Sequence, residues 1–536
     1  MKLNRIKHAG IVLLGFLMAA CQKGDLLSNP NVANENSSIP VSLLLNHLTW
    51  SMYRGGGVVE KSTNAVGEEP FGQVGRWNQY TVSTNAYYRG TNAYAFSNTA
   101  TAYDLVRYVN QMEAKAEVQL GTVNNAYTAL GRFFRAYSFV WLTQRVGDIP
   151  ASEAGDPTKL TPKFDTQKEV YRRSLQLLDE ANTIMALAIK PNAATDNSST
   201  LVGGDIYGLT YLQWQKVINS YKLRVLISLS KRADDNADLN IKQQFADILN
   251  NPVKYPVLTG NADNLSFKYN ATVNKFIYNP DETYNLFENM GKTYLDLTTA
   301  NQDPRTFIAS TPAPAELSGG KPVSDFTAYV GGSTALSQST LSANDAQGKY
   351  SYVNYKRYFA TFTGPDPAIL IGYPELCFNL AEGINRGWAS GSAATWYQNG
   401  IKASLSGYGL TEGQSYDIGD VKGQTKGTVT IKIGAFLNHP NVVYKGDNAD
   451  GLKQILQQKY VAFFENSGWE AFYNWRRTGV PDFANNGPGI NPAGIIPIRW
   501  QYPVEEQNSN GANYKAAIAA QYGGNDDVNQ KMWLIK

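Results

Sequence analysis

Residues 126–150 read AYTALGRFFRAYSFVWLTQRVGDIP. Ala126, Leu130, Phe133, Phe134, Tyr137, Val140 and Trp141 recur at three- and four-residue steps, the spacing of one face of an α-helix. Gly147-Asp148-Ile149-Pro150 then stops the pattern, because glycine accepts left-handed backbone and proline cannot continue a helix. The same period returns down the chain. Tyr171, Leu175, Leu178, Ala181 and Met185 form a second stripe, closed by Pro191. Trp214, Val217, Ile218, Tyr221, Val225, Leu226 and Leu229 form a third, with Lys231 and Arg232 at its end, where the helix dipole favours cations. Leu376, Leu380 and Ile384 belong to a fourth stripe, paired with Trp396–Leu405, and Ile455, Tyr460, Phe463 and Phe464 begin a fifth. Amphipathic helices with partners a short turn away predict an all-α scaffold of tetratricopeptide-like helix pairs, although no strict 34-residue repeat can be read.

Between the helices run long stretches of weak periodicity, at 51–98, 251–280, 301–364, 406–446 and 484–530, rich in Gly, Pro, Asn, Ser and Tyr. Ordered loops of this length are usually functional. The expected design is a helical scaffold with loop-rich binding insertions.

The N-terminus reads as an address. Met1–His8 is basic, Ile11–Ala20 is apolar, and Leu17-Met18-Ala19-Ala20-Cys21 follows. Ten apolar residues are too few to cross roughly 30 Å of hydrocarbon, so 1–20 reads as a signal peptide and not a membrane span. Small residues directly before Cys21 resemble a bacterial lipoprotein box, which would make Cys21 the acylated N-terminus; an ordinary secretory signal is the alternative. Residues 21–38 then read as a flexible tether and 39–536 as a single helical domain.

The whole chain of 536 residues carries a formal charge of +3. That excess lies in Lys2, Arg5 and Lys7, and the remaining 45 basic residues balance 45 acidic ones. Nucleic acid is therefore a poor partner, since phosphate binding needs a basic face. Charged residues make up 17%, against about 25% in an ordinary globular chain. The 33 tyrosines outnumber the 21 phenylalanines, which suggests that part of the tyrosine surplus lies at the surface.

Catalytic motifs are wanting. Beyond the signal only His47 and His439 remain, with no HExxH, no CxxC, no phosphate loop and no GxSxG elbow. Cys377 falls on the buried stripe of its helix and reads as a core thiol. GDNADG at 446–451 lacks the alternating acids and distal Glu of a calcium loop; no cofactor is expected, with a structural calcium ion left open. Glu68-Glu69 and Asp366/Glu375 are the carboxylate pairs from which a surface glycosidase could be imagined.

The aromatic loops are more informative. Trp77, Tyr80, Tyr87, Tyr88, Tyr94 and Phe96 crowd one segment; Phe326, Tyr329, Tyr350, Tyr352, Tyr355, Tyr358 and Phe359 crowd another. A sugar ring offers an apolar face to an aromatic ring and hydroxyls to Asn, Gln, Asp and Tyr, and an extended peptide could use the same groups. Clustering selects Trp77, Tyr80, Tyr87, Tyr88, Tyr329 and Tyr350 as candidate ligand-binding residues, with packing of loops onto helices as the competing role.

Several blocks together resemble the SusD/RagB family of Bacteroidetes outer-membrane nutrient-binding lipoproteins, most closely its SusD-like branch. They are the lipoprotein box at Cys21, Arg135-Ala136-Tyr137 running to Pro150, WQKVINSYKLR at 214–224, and Asp303-Pro304-Arg305. Tyr373-Pro374-Glu375-Leu376 to Glu382, QQKYVAFFENSGWEAFYNWRRTGVPDF at 457–483, and Pro497-Ile498-Arg499 with Tyr502-Pro503, Glu505 and Asn508 complete the set. The resemblance implies an all-α tetratricopeptide-like fold, a loop-built binding face and no catalysis. It also implies a lipid anchor at the outer membrane, outward exposure, and a SusC-like TonB-dependent barrel as partner. Residues 22–25 are less acidic than the surface-export signal of such lipoproteins. The implied ligand is an oligosaccharide, in some members a peptide. The family has no fixed ligand motif, and Asp148, Glu382, Arg476 and Arg477 read as structural.

Overall fold

A computed structural model describes residues 39–54, 72–99, 101–189, 201, 204–273, 276, 286–361, 363 and 366–536. The signal, the tether, Cys21 and the Glu68-Glu69 pair lie outside them. The fold is mostly helical. Its long helices are α1 (Val41–Arg54), α2 (Tyr103–Leu120), α3 (Ala126–Val146), α4 (Gln167–Ala188), α5 (Tyr211–Ser228), α6 (Ile241–Asn250), α7 (Lys292–Ala300), α8 (Tyr373–Asn385), α9 (Ala393–Gly407), α10 (Ala449–Ala462), α11 (Glu470–Thr478) and α12 (Gly511–Tyr522). Among the described residues no helix is long and apolar enough to cross a membrane.

Local chemistry sets the helix ends. Asn125 caps α3 by accepting from the Thr128 amide at 3.0 Å. Thr210 and Gln213 form a capping box on α5. Helix α3 stops at Gly147, whose φ of 103° suits glycine; a Cβ there would lie 2.2 Å from Gln521 Oε1 in α12. Neighbouring helices pack in sequence, α1 on α2, α2 on α3, α3 on α4 and α4 on α5, and α8 packs on both α9 and α10.

Among the described residues three antiparallel ribbons of two strands join the helices: β1 (Thr81–Ser83) with β3 (Glu288–Met290), β2 (Leu265–Phe267) with β4 (Ala368–Ile371), and β5 (Ser415–Gly419) with β6 (Thr425–Thr430). Two of the stretches of weak periodicity hold regular structure that periodicity did not show. The 406–446 stretch holds the β5–β6 hairpin, and 484–530 holds α12, whose alanine-rich sequence shows no stripe.

Two large cores result. The first is built by α1–α6 with Tyr502, Tyr522 and the C-terminal Leu534 and Ile535. The second gathers Trp77, Tyr80, Tyr294, Tyr460, Phe464, Trp469, Phe472 and Trp500 from α7, α10, α11 and the loops. Helix α8 is their common wall, giving Leu376 and Leu380 to the first and Phe378 and Ala381 to the second. Cys377 is buried there, and burial pushes its thiol up to about 12, as expected of a core thiol.

Ion pairs lie along the same wall. Arg224 of α5 holds the Glu375 carboxylate, with Nε 2.6 Å from Oε1. Arg477 of α11 holds Glu382, with one nitrogen 2.9 Å from Oε2. Burial raises the Glu382 carboxyl, but Arg477 and Arg386 overcome that and hold it down to about 2. Asp148 caps the start of α4 by accepting from the Gln167 amide at 2.7 Å.

Candidate ligand-binding site

Strand β1 is buried along its whole length and pairs Ser83 with Glu288 and Thr81 with Met290. At its end Asn85 starts a single helical turn, Ala86–Arg89, by accepting from the amides of Tyr87 and Tyr88 at 3.1 and 3.3 Å. That turn lifts two rings into solvent. Tyr87 is 89% exposed and Tyr88 61%, the two aromatic side chains that stand exposed among the described residues. Tyr88 stacks on Phe287 at 5.1 Å with planes 2° apart, and Tyr87 meets Tyr88 edge-on at 4.9 Å.

The base beneath these rings is polar and closed. Arg89 reaches the fully buried Glu288 carboxylate at 2.8 Å, and Thr81 donates to its other oxygen at 2.6 Å. Asn92 accepts from the Ser83 amide and donates to the Ser83 carbonyl, both at 2.8 Å. Asp345 accepts from Asn289 at 3.0 Å and from the Tyr352 hydroxyl at 2.6 Å. Burial and the Asp345 carboxylate together push the Tyr352 hydroxyl above its ordinary range, so it stays a donor. Gln338 donates to the Ser83 carbonyl at 3.0 Å and ties the helix at Gln338–Ala346 over the loop. Tyrosines on such a base can stack against a ligand at small entropic cost. This is equipment for binding.

The other four predicted residues are buried and present no ring face to a ligand. Trp77 lies among Tyr94, Phe96 and Trp469 and donates to the Ala93 carbonyl at 3.2 Å. Tyr80 stacks on Tyr460 at 4.6 Å and donates to the Tyr460 carbonyl at 2.7 Å. Tyr329 packs edge-on to Phe307 and donates to the Val323 carbonyl at 2.8 Å. Tyr350 packs with Val82 and Leu341 under β1 and accepts from Asn344 at 2.7 Å. For Trp77 and Tyr329, which donate to loop carbonyls, the physical reason is shared. Loops lack a hydrogen-bond ladder, so their carbonyls need other donors, and a buried aromatic with a polar tip supplies apolar mass and a donor together.

Sequence reasoning missed Phe287 and Asn85. Phe287 comes from the far side of the β1–β3 pair and has no local signal. An Asn immediately before the helix-forming AYYR was a legible cap.

The imagined chemistry dissolves into structure. Asp366 is held by Arg357 at 2.6 Å and Glu375 by Arg224, and each carboxylate is accounted for by its ion pair. In GDNADG, Asn448 caps α10 through the amides of Asp450 and Gly451, and Asp447 accepts from the Tyr444 hydroxyl at 2.8 Å. Among the described residues no group of three or more His, Cys, Asp or Glu gathers as metal ligands.

Residues 33–503 match the SusD-like profile, described as starch-binding and associating with the outer membrane. The chain belongs to the SusD-like family. A SusD homolog from Bacteroides fragilis NCTC 9343 is 26% identical with a TM-score of 0.78, covering 93% of this chain and 100% of its own. A second SusD homolog from the same organism is 30% identical with a TM-score of 0.73, covering 93% and 99%. A protein named for chitin binding is 21% identical with a TM-score of 0.66, covering 92% and 100%; at that identity the likeness concerns the fold alone. A search of curated proteins finds no match. Proteins of the SusD-like family are non-catalytic binding proteins, and this SusD-like protein is a nutrient-binding protein associated with the outer membrane. Its helices are those of the tetratricopeptide-like SusD scaffold.

Proposed function

We propose that this SusD-like protein captures an oligosaccharide on the Tyr87–Tyr88 surface and delivers it to a SusC-like TonB-dependent barrel. It does so without chemistry, held at the outer membrane through acylated Cys21 and facing outward. The observation that carries the reading is the pair of exposed tyrosines, Tyr88 stacked on Phe287, over a base of buried hydrogen bonds. An exposed ring face covers the C–H face of a sugar, and the phenol hydroxyls meet its rim. The balanced charge of the body suits a neutral ligand better than a phosphate.

Titration calorimetry against a panel of glycans and peptide digests tests it. A glycan should bind saturably, and Tyr88→Ala should weaken it about tenfold, the scale of one lost ring contact. Silence on every glycan with binding of a peptide would transfer the capture role to oligopeptides. Release of reducing ends on long incubation would make the protein a glycosidase and end the non-catalytic reading. Co-purification with a TonB-dependent barrel, lost when Cys21→Ser removes the anchor, tests the partner and the lipid together.

A further inference from the structure

A cavity of about 220 Å³ lies between the β2–β4 ribbon, helix α9 and the turn that follows α10, and shares no residue with the tyrosine surface. Its walls include the rings of Tyr269, Tyr358 and Tyr408. Two lining residues hold a buried polar atom without a hydrogen-bond partner, Glu465 at Oε2 and Asn261 at Oδ1. Asn261 Nδ2 donates to the Ala403 carbonyl at 2.9 Å, which fixes the amide and leaves its oxygen unmatched. Asn261 Oδ1 is an acceptor, and Glu465 Oε2 is one whenever the carboxyl is ionised. Asn466, by contrast, is fully used, accepting from the Ile369 amide and donating to the Phe464 carbonyl, each at 3.0 Å. The second acid on the wall, Asp366, is neutralised by Arg357.

Glu465 also holds φ at 63°, and Ser467 follows at 57°, backbone that side-chain-bearing residues adopt at a cost of about 1–3 kcal/mol each. Glu465 is half-buried with Oε2 shut off from solvent; once ionised, that oxygen needs a cation, because a hydroxyl from a ligand would not offset its charge. A cation would, and ring faces attract cations as well. We propose that this cavity binds a primary ammonium group carried by a unit of about one residue in size. The ammonium would pair with Glu465, donate to Asn261 and lie against the tyrosine rings.

Burial, and after it the Glu288 carboxylate, hold the Glu465 carboxyl well above its ordinary range. Glu288 itself is occupied by Arg89 and Thr81. The groups that feel Glu465 in turn are the phenols of Tyr80, Tyr358 and Tyr408. Without ligand, then, the carboxyl gives up its proton less readily than an ordinary glutamate. As the ammonium enters, the acid gives that proton to the buffer and a carboxylate–ammonium pair remains.

An ammonium of this kind has two sources, a free amino sugar and a lysine side chain. Titration calorimetry at pH 6 with a glucosamine trimer, its N-acetylated counterpart and trilysine separates them. At least one amine probe should bind, with the acetylated trimer at least tenfold weaker, and the tighter amine names the source. The enthalpy, measured in two buffers of different ionisation enthalpy, should show net proton release. All titrations use the Tyr88→Ala protein, so that glycan capture on the tyrosine surface does not contribute; adding Glu465→Gln should weaken amine binding at least tenfold and remove the buffer dependence. Equal binding of the acetylated trimer, no binding of either amine, or a buffer-independent enthalpy overturns the site. The acetylation and buffer comparisons need no change at Glu465, so they stand even if Glu465→Gln does not fold. Because the inference does not rest on oligosaccharide capture at Tyr87–Tyr88, either can fail alone.

Discussion

The two cores are held together in different ways. In the first, helices meet helices, and fewer than a quarter of its residues are aromatic. Their backbones satisfy themselves, so aliphatic packing is enough. In the second, where loops supply much of the wall, half the residues are aromatic. Its tyrosines are donors as well as packing: Tyr80 to the Tyr460 carbonyl, Tyr460 to the Asn78 carbonyl at 2.9 Å, Tyr94 to the Trp77 carbonyl at 2.8 Å, and Tyr397 to the Val442 carbonyl at 2.9 Å. Part of the tyrosine surplus is therefore spent on fastening loops. Among the described residues the tyrosines that stand exposed are Tyr87 and Tyr88.

The sharpest way to break this contrast is at Arg305, a fully buried cation in the loop-built half. It grips Asp303 at 2.6 Å and donates to Ser404 at 2.9 Å. Arg305→Met strands the Asp303 carboxylate and should cost about 3–5 kcal/mol in denaturant unfolding. Next comes the seam between the cores. The Glu382 carboxyl lies below its unfolded value, so its contribution is complete above about pH 4.5 and is lost as pH falls toward about 2. The loss should approach about 3 kcal/mol, and Glu382→Gln should flatten the acid limb of the stability curve.

A smaller effect separates the two kinds of tyrosine. Tyr80→Phe keeps the ring but removes its bond to the Tyr460 carbonyl, which still accepts from the Phe463 amide at 3.1 Å, and should cost about 0.5–1.5 kcal/mol. If Tyr80→Phe is neutral, hydroxyl fastening is not what holds the loops. Smallest of all, Tyr88→Ala should shift unfolding by less than about 0.5 kcal/mol, because its ring is mostly in water. A large drop there would make Tyr88 a packing residue and remove it from the site.

Much of the scaffold could be read from residue order. A 3.6-residue stripe reports which face of a helix must be buried, and that demand is local, so α3, α4, α5, α8 and the second half of α10 were visible in sequence, as was the thiol of Cys377 on its buried stripe; the stripe that continues to Phe464 runs past the end of α10 at Ala462. The stop at Gly147 was visible for the same reason, a backbone requirement met by one residue. The family blocks near Arg224, Glu375, Glu382 and Arg477 marked structural positions, and they prove to be ion pairs on the wall between the cores. Which tyrosines are buried was beyond the sequence. Tyr80 and Tyr88 sit eight residues apart in one aromatic crowd, yet one stacks on Tyr460 inside and the other on Phe287 at the surface. Each fate depends on a partner some 200 to 400 residues away, and an aromatic ring carries no local sign of which partner it will meet. Glu465 is the same case in reverse: in sequence it is one acid in a run of aromatics, and only the chain's return through β2, β4 and α9 builds the cavity that isolates it.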